Sequence, residues 1–209
     1  MKNILVANPK GGSGKTTLAT NLAGYFASVG QQVILSDLDR QQSSTNWLQR
    51  RPASFPAIEI YNGKSKCSHL ADWIISDSPG GFRDEKLSDA VKQADCVIVP
   101  IQPSAFDIGA TQDFLELLIE EKAVRKQKTF VALVGMRVNS RTHSAAKLME
   151  FMDQTNFPVL TALRNAQVYV TAAEQGLSLF DMRPSLVTQD LEQWAPLLDW
   201  VKDTTITVD

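Results

Sequence analysis

A ten-residue stretch, Asn8-Pro9-Lys10-Gly11-Gly12-Ser13-Gly14-Lys15-Thr16-Thr17, concentrates two lysines, two threonines and three glycines. Glycines let a backbone wrap an anion with its N–H groups turned inward. A lysine closing such a loop reaches the β- and γ-phosphates of a nucleotide, and the hydroxyl after it holds a magnesium ion. Those roles fall to Lys15 and Thr16, with Gly11, Gly12, Ser13, Gly14 and Thr17 completing the cradle. The apolar run Ile4-Leu5-Val6-Ala7 precedes the loop, and Leu18, Leu22, Phe26 and Val29 follow at helical spacing. Strand, glycine-rich turn and helix form the context such a loop requires, because the helix N-terminus adds partial positive charge.

A magnesium nucleotide also needs carboxylate oxygens nearby. Asp77 ends the apolar run Trp73-Ile74-Ile75-Ser76 and reads as the Walker B aspartate, holding the metal through water. Asp37, after Val33-Ile34-Leu35, is a second candidate for that outer shell. Aspartates after a strand are also common turn residues, and Asp37 and Asp39 carry that plainer reading as well. The metal set is thus Thr16, Asp77 and Asp37.

The loop departs from G-x-x-x-x-G-K-[ST]: Pro9 stands at the first glycine, and Lys10 adds a second cation. Lys10-Gly11-Gly12-Ser13-Gly14-Lys15-Thr16-Thr17 resembles the deviant Walker A box of the ParA/MinD family of ATPases. The resemblance implies that Lys10 reaches across a nucleotide-sandwich homodimer to the partner's phosphates, and that Asp39 orients the attacking water. It makes Lys10, Lys15 and Asp39 the catalytic set, with ATP and Mg2+ as cofactors. Family members read Asp-x-Asp-Pro-Gln where this chain has Asp37-Leu38-Asp39-Arg40-Gln41, and Arg40 is compatible with a phosphate, a partner subunit or solvent. Thr45-Asn46-Trp47, the run from Val97 to Ser104, Gln167-Val168-Tyr169-Val170 and the run from Glu174 to Phe180 look most like the small plasmid partition ATPases typified by ParF. In that group the stretch matching residues 100 to 107 lies at subunit contacts; a rigid exit from a strand is the other reading. The resemblance further implies a dimer that binds DNA nonspecifically when ATP-bound, and a ParB-like or adaptor partner that stimulates slow hydrolysis.

Positioning these groups requires a sheet. Strands are expected at residues 4–7, 33–35, 58–61 (an edge), 73–76, 96–99 (broken by Pro100 and Pro103), 130–134 and 159–163. Helices are expected from residue 18 to a Gly30 C-cap, around Trp47 and Leu48 with Ser43 or Ser44 as cap, and near 107–122, 142–154, 166–176 and 188–202. Apolar strands alternating with amphipathic helices imply an α/β fold: a mostly parallel twisted sheet with helices on both faces, P-loop NTPase-like. Arg137 and Asn139, after the 130–134 strand, are placed to contact adenine.

With 209 residues, 44% hydrophobic and 21% charged, the chain suits one α/β domain with a sizeable core. A net charge of -2 excludes a whole-molecule basic field, so DNA binding needs a local patch. Candidates are Arg137, Arg141, Lys147 and Arg164, or Lys122, Arg125, Lys126 and Lys128. Cys67 and Cys96 read as small core residues, and without a C-x-x-C they count against a metal-cluster carrier. The start lacks the apolar stretch of a signal peptide, so a cytoplasmic protein is expected, nucleoid-associated when ATP-bound. A MinD-like membrane helix is the alternative. The segment after Val187 has an apolar stripe through Leu191, Trp194, Leu198 and Val201, but its charges are mostly acidic and Pro196 interrupts it, which favours core packing over lipid.

Overall fold

The structure, a computed structural model, describes residues 1–61 and 71–206. Cys67 lies outside the described residues. Among the described residues seven strands form one sheet: β1 (Lys2–Val6), β2 (Val33–Asp37), β3 (Glu59–Tyr61), β4 (Trp73–Asp77), β5 (Cys96–Ile101), β6 (Phe130–Val138) and β7 (Val159–Arg164). Their order is β3-β2-β4-β1-β5-β6-β7, and each of these pairings is parallel. Every residue of β5 is buried, because both faces of the sheet are covered there.

One face carries α1 (Lys15–Ser28), α2 (Ser43–Gln49), α7 (Gln167–Glu174) and α8 (Pro184–Ile206), whose buried residues join Ile4, Val6, Leu35 and Ile75 in one core. The other carries α3 (Asp84–Gln93), α4 (Ala105–Glu120), the short α5 (Lys122–Arg125) and α6 (His143–Asp153), packed on Leu5, Val97, Val99 and Leu133. A 3₁₀ turn, Leu179–Asp181, packs against α1. From β1 the chain first builds outward through β2 and β3, then crosses back to build β5 to β7 on the other side. The crevice therefore opens at the C-terminal end of β1, where such folds bind ligands.

Several local expectations shift. β5 runs through Pro100 rather than breaking there. Its last partner on β1 is opposite Ile98, and the Pro100 carbonyl accepts instead from Asn8 Nδ2. The missing N–H thus falls where β1 has already turned away, so no ladder bond is lost. α3 has no counterpart in the expected elements, since Leu87 and Val91 alone form its buried face. α8 continues through Pro196. Val187, Trp194, Leu197, Leu198 and Val201 are all buried on the sheet, and that packing outweighs one forfeited backbone bond. The stripe read as core packing is core packing.

Candidate functional site

The loop between β1 and α1 is built from backbone turns that glycine permits, with Gly12 at φ 78° and Gly14 at φ 105°. Gly14 caps α1, and no side chain caps the first-turn N–H groups, which leaves them directed at an anion site. Three bonds fix the loop, one from within and two from outside. Gly81 N donates to the Pro9 carbonyl at 2.7 Å, Asn8 Oδ1 accepts from Lys10 N at 2.8 Å, and Gln102 Nε2 donates to the Gly12 carbonyl. Asn8 is fully buried, and its Nδ2 also donates to Thr111 Oγ1 at 2.9 Å.

Lys15 is almost fully buried, and its Nζ donates to the Lys10 carbonyl at 2.8 Å and to Ser13 Oγ at 3.5 Å. Burial lowers its pKa, against the opposing charges of Asp77 and Asp39. Lys10 is half-buried, with its ammonium 6.0 Å from the centre of the exposed Phe106 ring.

Parallel pairing aligns Asp77 with Val6 on β1 and with Asp37 on β2. Thr16 Oγ1 donates to Asp77 Oδ2 at 2.8 Å. Asp77 Oδ1 is buried with no hydrogen-bond partner among the described residues. Burial raises the Asp77 carboxyl to about 7; the Thr16 hydrogen bond opposes the rise and Asp37 adds to it. Asp37 accepts Asp39 N at 3.1 Å on Oδ1 and Thr45 N at 2.8 Å on Oδ2. The Asp37 carboxylate, rather than Ser43 or Ser44, thus serves the start of α2, whose N-cap position is Gln42 at φ 54°. Asp39 is half-buried, and its Oδ1 accepts from Gln41 N at 3.0 Å. Arg40 is exposed.

This oxygen set fits a magnesium ion. The Thr16 hydroxyl spends its proton on Asp77 and keeps its lone pairs, and the unpaired Asp77 oxygen can take a metal-bound water.

Beside Thr17 lies a cleft of about 800 Å³, lined by Met136, Arg137, Leu163, Asn165 and Tyr169 among others. Arg137 sits at φ 52° on a bulge of β6 and reaches this cleft. Asn139 is not in its lining; its Oδ1 accepts from Arg141 N at 3.3 Å in the turn before α6. Met136, Asn165 and Tyr169 escaped the sequence reading, because nothing short of the β6–β7 pairing brings them to Thr17.

The basic groups separate. Arg137, Arg141 and Lys147 are exposed on the side of the sheet where β6 ends. Arg164 is engaged by Asp190 through two 2.8 Å hydrogen bonds, so its charge is neutralised locally. Lys122, Arg125, Lys126 and Lys128 are exposed around α5, at the opposite edge, before β6 begins. No group of three His, Cys, Asp or Glu residues able to hold a metal is found among the described residues, and no described helix is long and apolar enough to cross a membrane.

Comparison with known proteins bears on the family and the fold. The chain is 27% identical over 191 residues to Maintenance of carboxysome distribution protein A of Halothiobacillus neapolitanus, spanning 86% of this chain and 87% of that protein. It is 28% identical over 151 residues to Protein ParA of Rhizobium radiobacter, spanning 69% and 68%. The fold superposes on an ATP complex of McdA from Cyanothece with a TM-score of 0.74 at 19% identity, covering 98% of this chain and 96% of that one. Residues 4–179, which hold both the phosphate loop and the strand-end aspartates, match the profile of the CobQ/CobB/MinD/ParA nucleotide binding domain, and the chain belongs to that family.

Proposed function

We propose that this chain is one ATPase domain that takes MgATP on the β1–α1 loop, dimerises around the nucleotide, and uses the cycle of association and hydrolysis to position DNA or another cargo. The observation that carries the reading is the Thr16–Asp77 hydrogen bond at 2.8 Å, which joins loop hydroxyl and strand-end carboxylate beside an unpaired buried oxygen.

The loop N–H groups and the α1 N-terminus receive the phosphates, and Lys15 exchanges its bond to the Lys10 carbonyl for a phosphate oxygen. Thr16 and Asp77, with Asp37 beside them, would hold the cation, which would supply charge neutralisation on the phosphates. Asp39 is the carboxylate available to orient a water at the γ-phosphate. Lys10 extends toward a second subunit. The cleft beside Thr17 takes the nucleoside, with Arg137 lining it and Asn139 on the adjoining turn. Phosphoryl transfer depends on positioning and charge neutralisation, so this set is chemically sufficient.

For cargo, the named functions of relatives point two ways, carboxysome distribution and chromosome partitioning. The exposed Arg137, Arg141 and Lys147, or the α5 cluster, supply cations for nonspecific duplex binding, and a dimer doubles either patch. A ParB-like or adaptor protein would stimulate turnover, in a cytoplasmic cycle with a nucleoid-bound ATP state.

Light scattering of the wild type and Asp39→Ala with saturating ATP tests this reading. A stable Asp39→Ala dimer with ATP and a monomer with ADP are expected; a monomeric Asp39→Ala protein overturns the sandwich. Retention on unrelated duplexes should require ATP and weaken steeply with salt.

A further inference from the structure

Ser44 is fully buried in the first turn of α2, where a serine ordinarily earns its place by capping backbone N–H groups. Here it does not. Gln42 occupies the cap position, and the Thr45 N–H goes to Asp37 Oδ2 at 2.8 Å. Ser44 Oγ makes no hydrogen bond among the described residues. An unpaired hydroxyl in the core is unfavourable, and an alanine would fill the same space without that penalty.

Ser44 adjoins Thr45, whose N–H binds Asp37, and β2–β4 pairing sets Asp37 beside Asp77. The hydroxyl lies against the Asp77 carboxylate and favours its ionised form, without a well-aligned hydrogen bond between them. Of the four carboxylate oxygens of Asp37 and Asp77, three already accept donors, from Asp39 N, Thr45 N and Thr16 Oγ1. Asp77 Oδ1 is the fourth, and it too is buried and unpaired. Two orphan polar atoms, from elements far apart in sequence, therefore meet beside the metal-facing hydroxyl of Thr16. A cation-bound water has its lone pair committed to the metal and offers two O–H donors. Asp77 Oδ1 and Ser44 Oγ are two acceptors suited to receive them.

We propose that Ser44 is a positioning residue of the cation site, sharing with Asp77 Oδ1 one water of the magnesium shell. The inference rests on the nucleotide reading above and deepens it: the second strand's loop contributes a hydroxyl, besides its aspartates, to the metal. Ser44 touches neither phosphate nor metal directly, and acts by fixing the orientation of that water and of the Asp77 carboxylate.

The test uses the full chain with ADP, which avoids dimerisation and turnover. Calorimetry gives ADP affinity without metal, and electron paramagnetic resonance of Mn2+ gives the metal affinity of the ADP complex. Ser44→Ala should bind metal-free ADP as the wild type does and keep or raise its metal-free melting temperature, while losing about tenfold in Mn2+ affinity, the lower end of the usual effect of an outer-shell partner. Ser44→Cys, close in size but a weak hydrogen-bonding group, should fall between the two and serves if the alanine variant folds poorly. Unchanged Mn2+ affinity in either folded variant overturns the role of Ser44. A parallel loss of metal-free ADP affinity overturns it as well, by showing a general structural effect. A wild type whose ADP complex binds no Mn2+ overturns instead the metal-site reading on which this one stands.

Discussion

The Lys15 ammonium donates to the backbone carbonyl of Lys10 at 2.8 Å, while the Lys10 ammonium lies over the Phe106 ring. The two lysines of the loop thus face different surroundings: one is buried inside the cradle, the other stands at its rim beside an exposed aromatic ring. Lys15→Ala should weaken ATP binding by about tenfold to a hundredfold, the range expected for losing one charge-assisted hydrogen bond in a dry site. Lys10→Ala should bind ATP with wild-type affinity yet fail to dimerise. Calorimetry and light scattering on the same samples separate the two effects, and normal dimerisation of Lys10→Ala would remove the cross-subunit role.

Asp77 carries a pH signature. Burial raises its carboxyl to about 7 in the folded protein, against about 3.9 in an unfolded chain. The folded state therefore holds the proton more tightly, and the stability this adds is fully present below about pH 4 and lost as pH rises through 7. Metal-free wild type should lose about 1 kcal/mol from this group between pH 6 and pH 8, and Asp77→Asn should lack that component. Urea titrations at the two pH values, compared between the two proteins, measure it. Magnesium-dependent nucleotide binding should run the other way, strengthening from pH 6 to pH 8 as the carboxylate forms.

Gly24 sits inside α1, where alanine is the better helix former by about 1 kcal/mol. A Cβ at this position would overlap Ser178 Oγ and Cβ, which belong to the turn leading into the 3₁₀ segment. Overpacking of this kind costs about 1–3 kcal/mol, and the obstructing Cβ cannot swing aside. Gly24→Ala is therefore expected to destabilise by up to about 2 kcal/mol net, lowering the melting temperature by up to roughly 8 °C for a chain of this size. A rise in melting temperature would show that the helix–turn contact yields easily.

Arg51 and Asp181 form a bidentate pair with both hydrogen bonds at 2.8 Å and side chains only 4% and 1% exposed. Burial by itself would raise the Asp181 carboxyl; hydrogen bonds from Arg51 and Ser178 outweigh it and hold the group below its usual value. Stability from this carboxylate is present above the unfolded pKa and lost as pH falls through the folded one. Arg51→Ala leaves the charge buried and unmatched, and should destabilise by about 3–5 kcal/mol in urea denaturation at neutral pH. A loss under 1 kcal/mol would mean that water replaces the guanidinium.

Residues Lys10 to Thr17 were legible as a glycine-rich turn opening a helix because glycine conformations and a helix start are local properties of contiguous residues. The apolar strands were legible for the same reason, since burial on both faces is written as an unbroken apolar run. Local pattern failed where a partner overrode it. It broke β5 at Pro100, where the Asn8 side chain takes over from the ladder, and it assigned Ser43 or Ser44 a cap that the Asp37 carboxylate provides. What only the tertiary structure decided is adjacency. Thr16 meets Asp77 across 61 positions of chain, and Met136 and Tyr169 converge on Thr17, because the order β2-β4-β1-β5-β6-β7 places those strand ends side by side. Strand order is settled by which nonlocal pairings bury the most apolar surface at once, a property of the whole sheet that no single stretch of sequence carries.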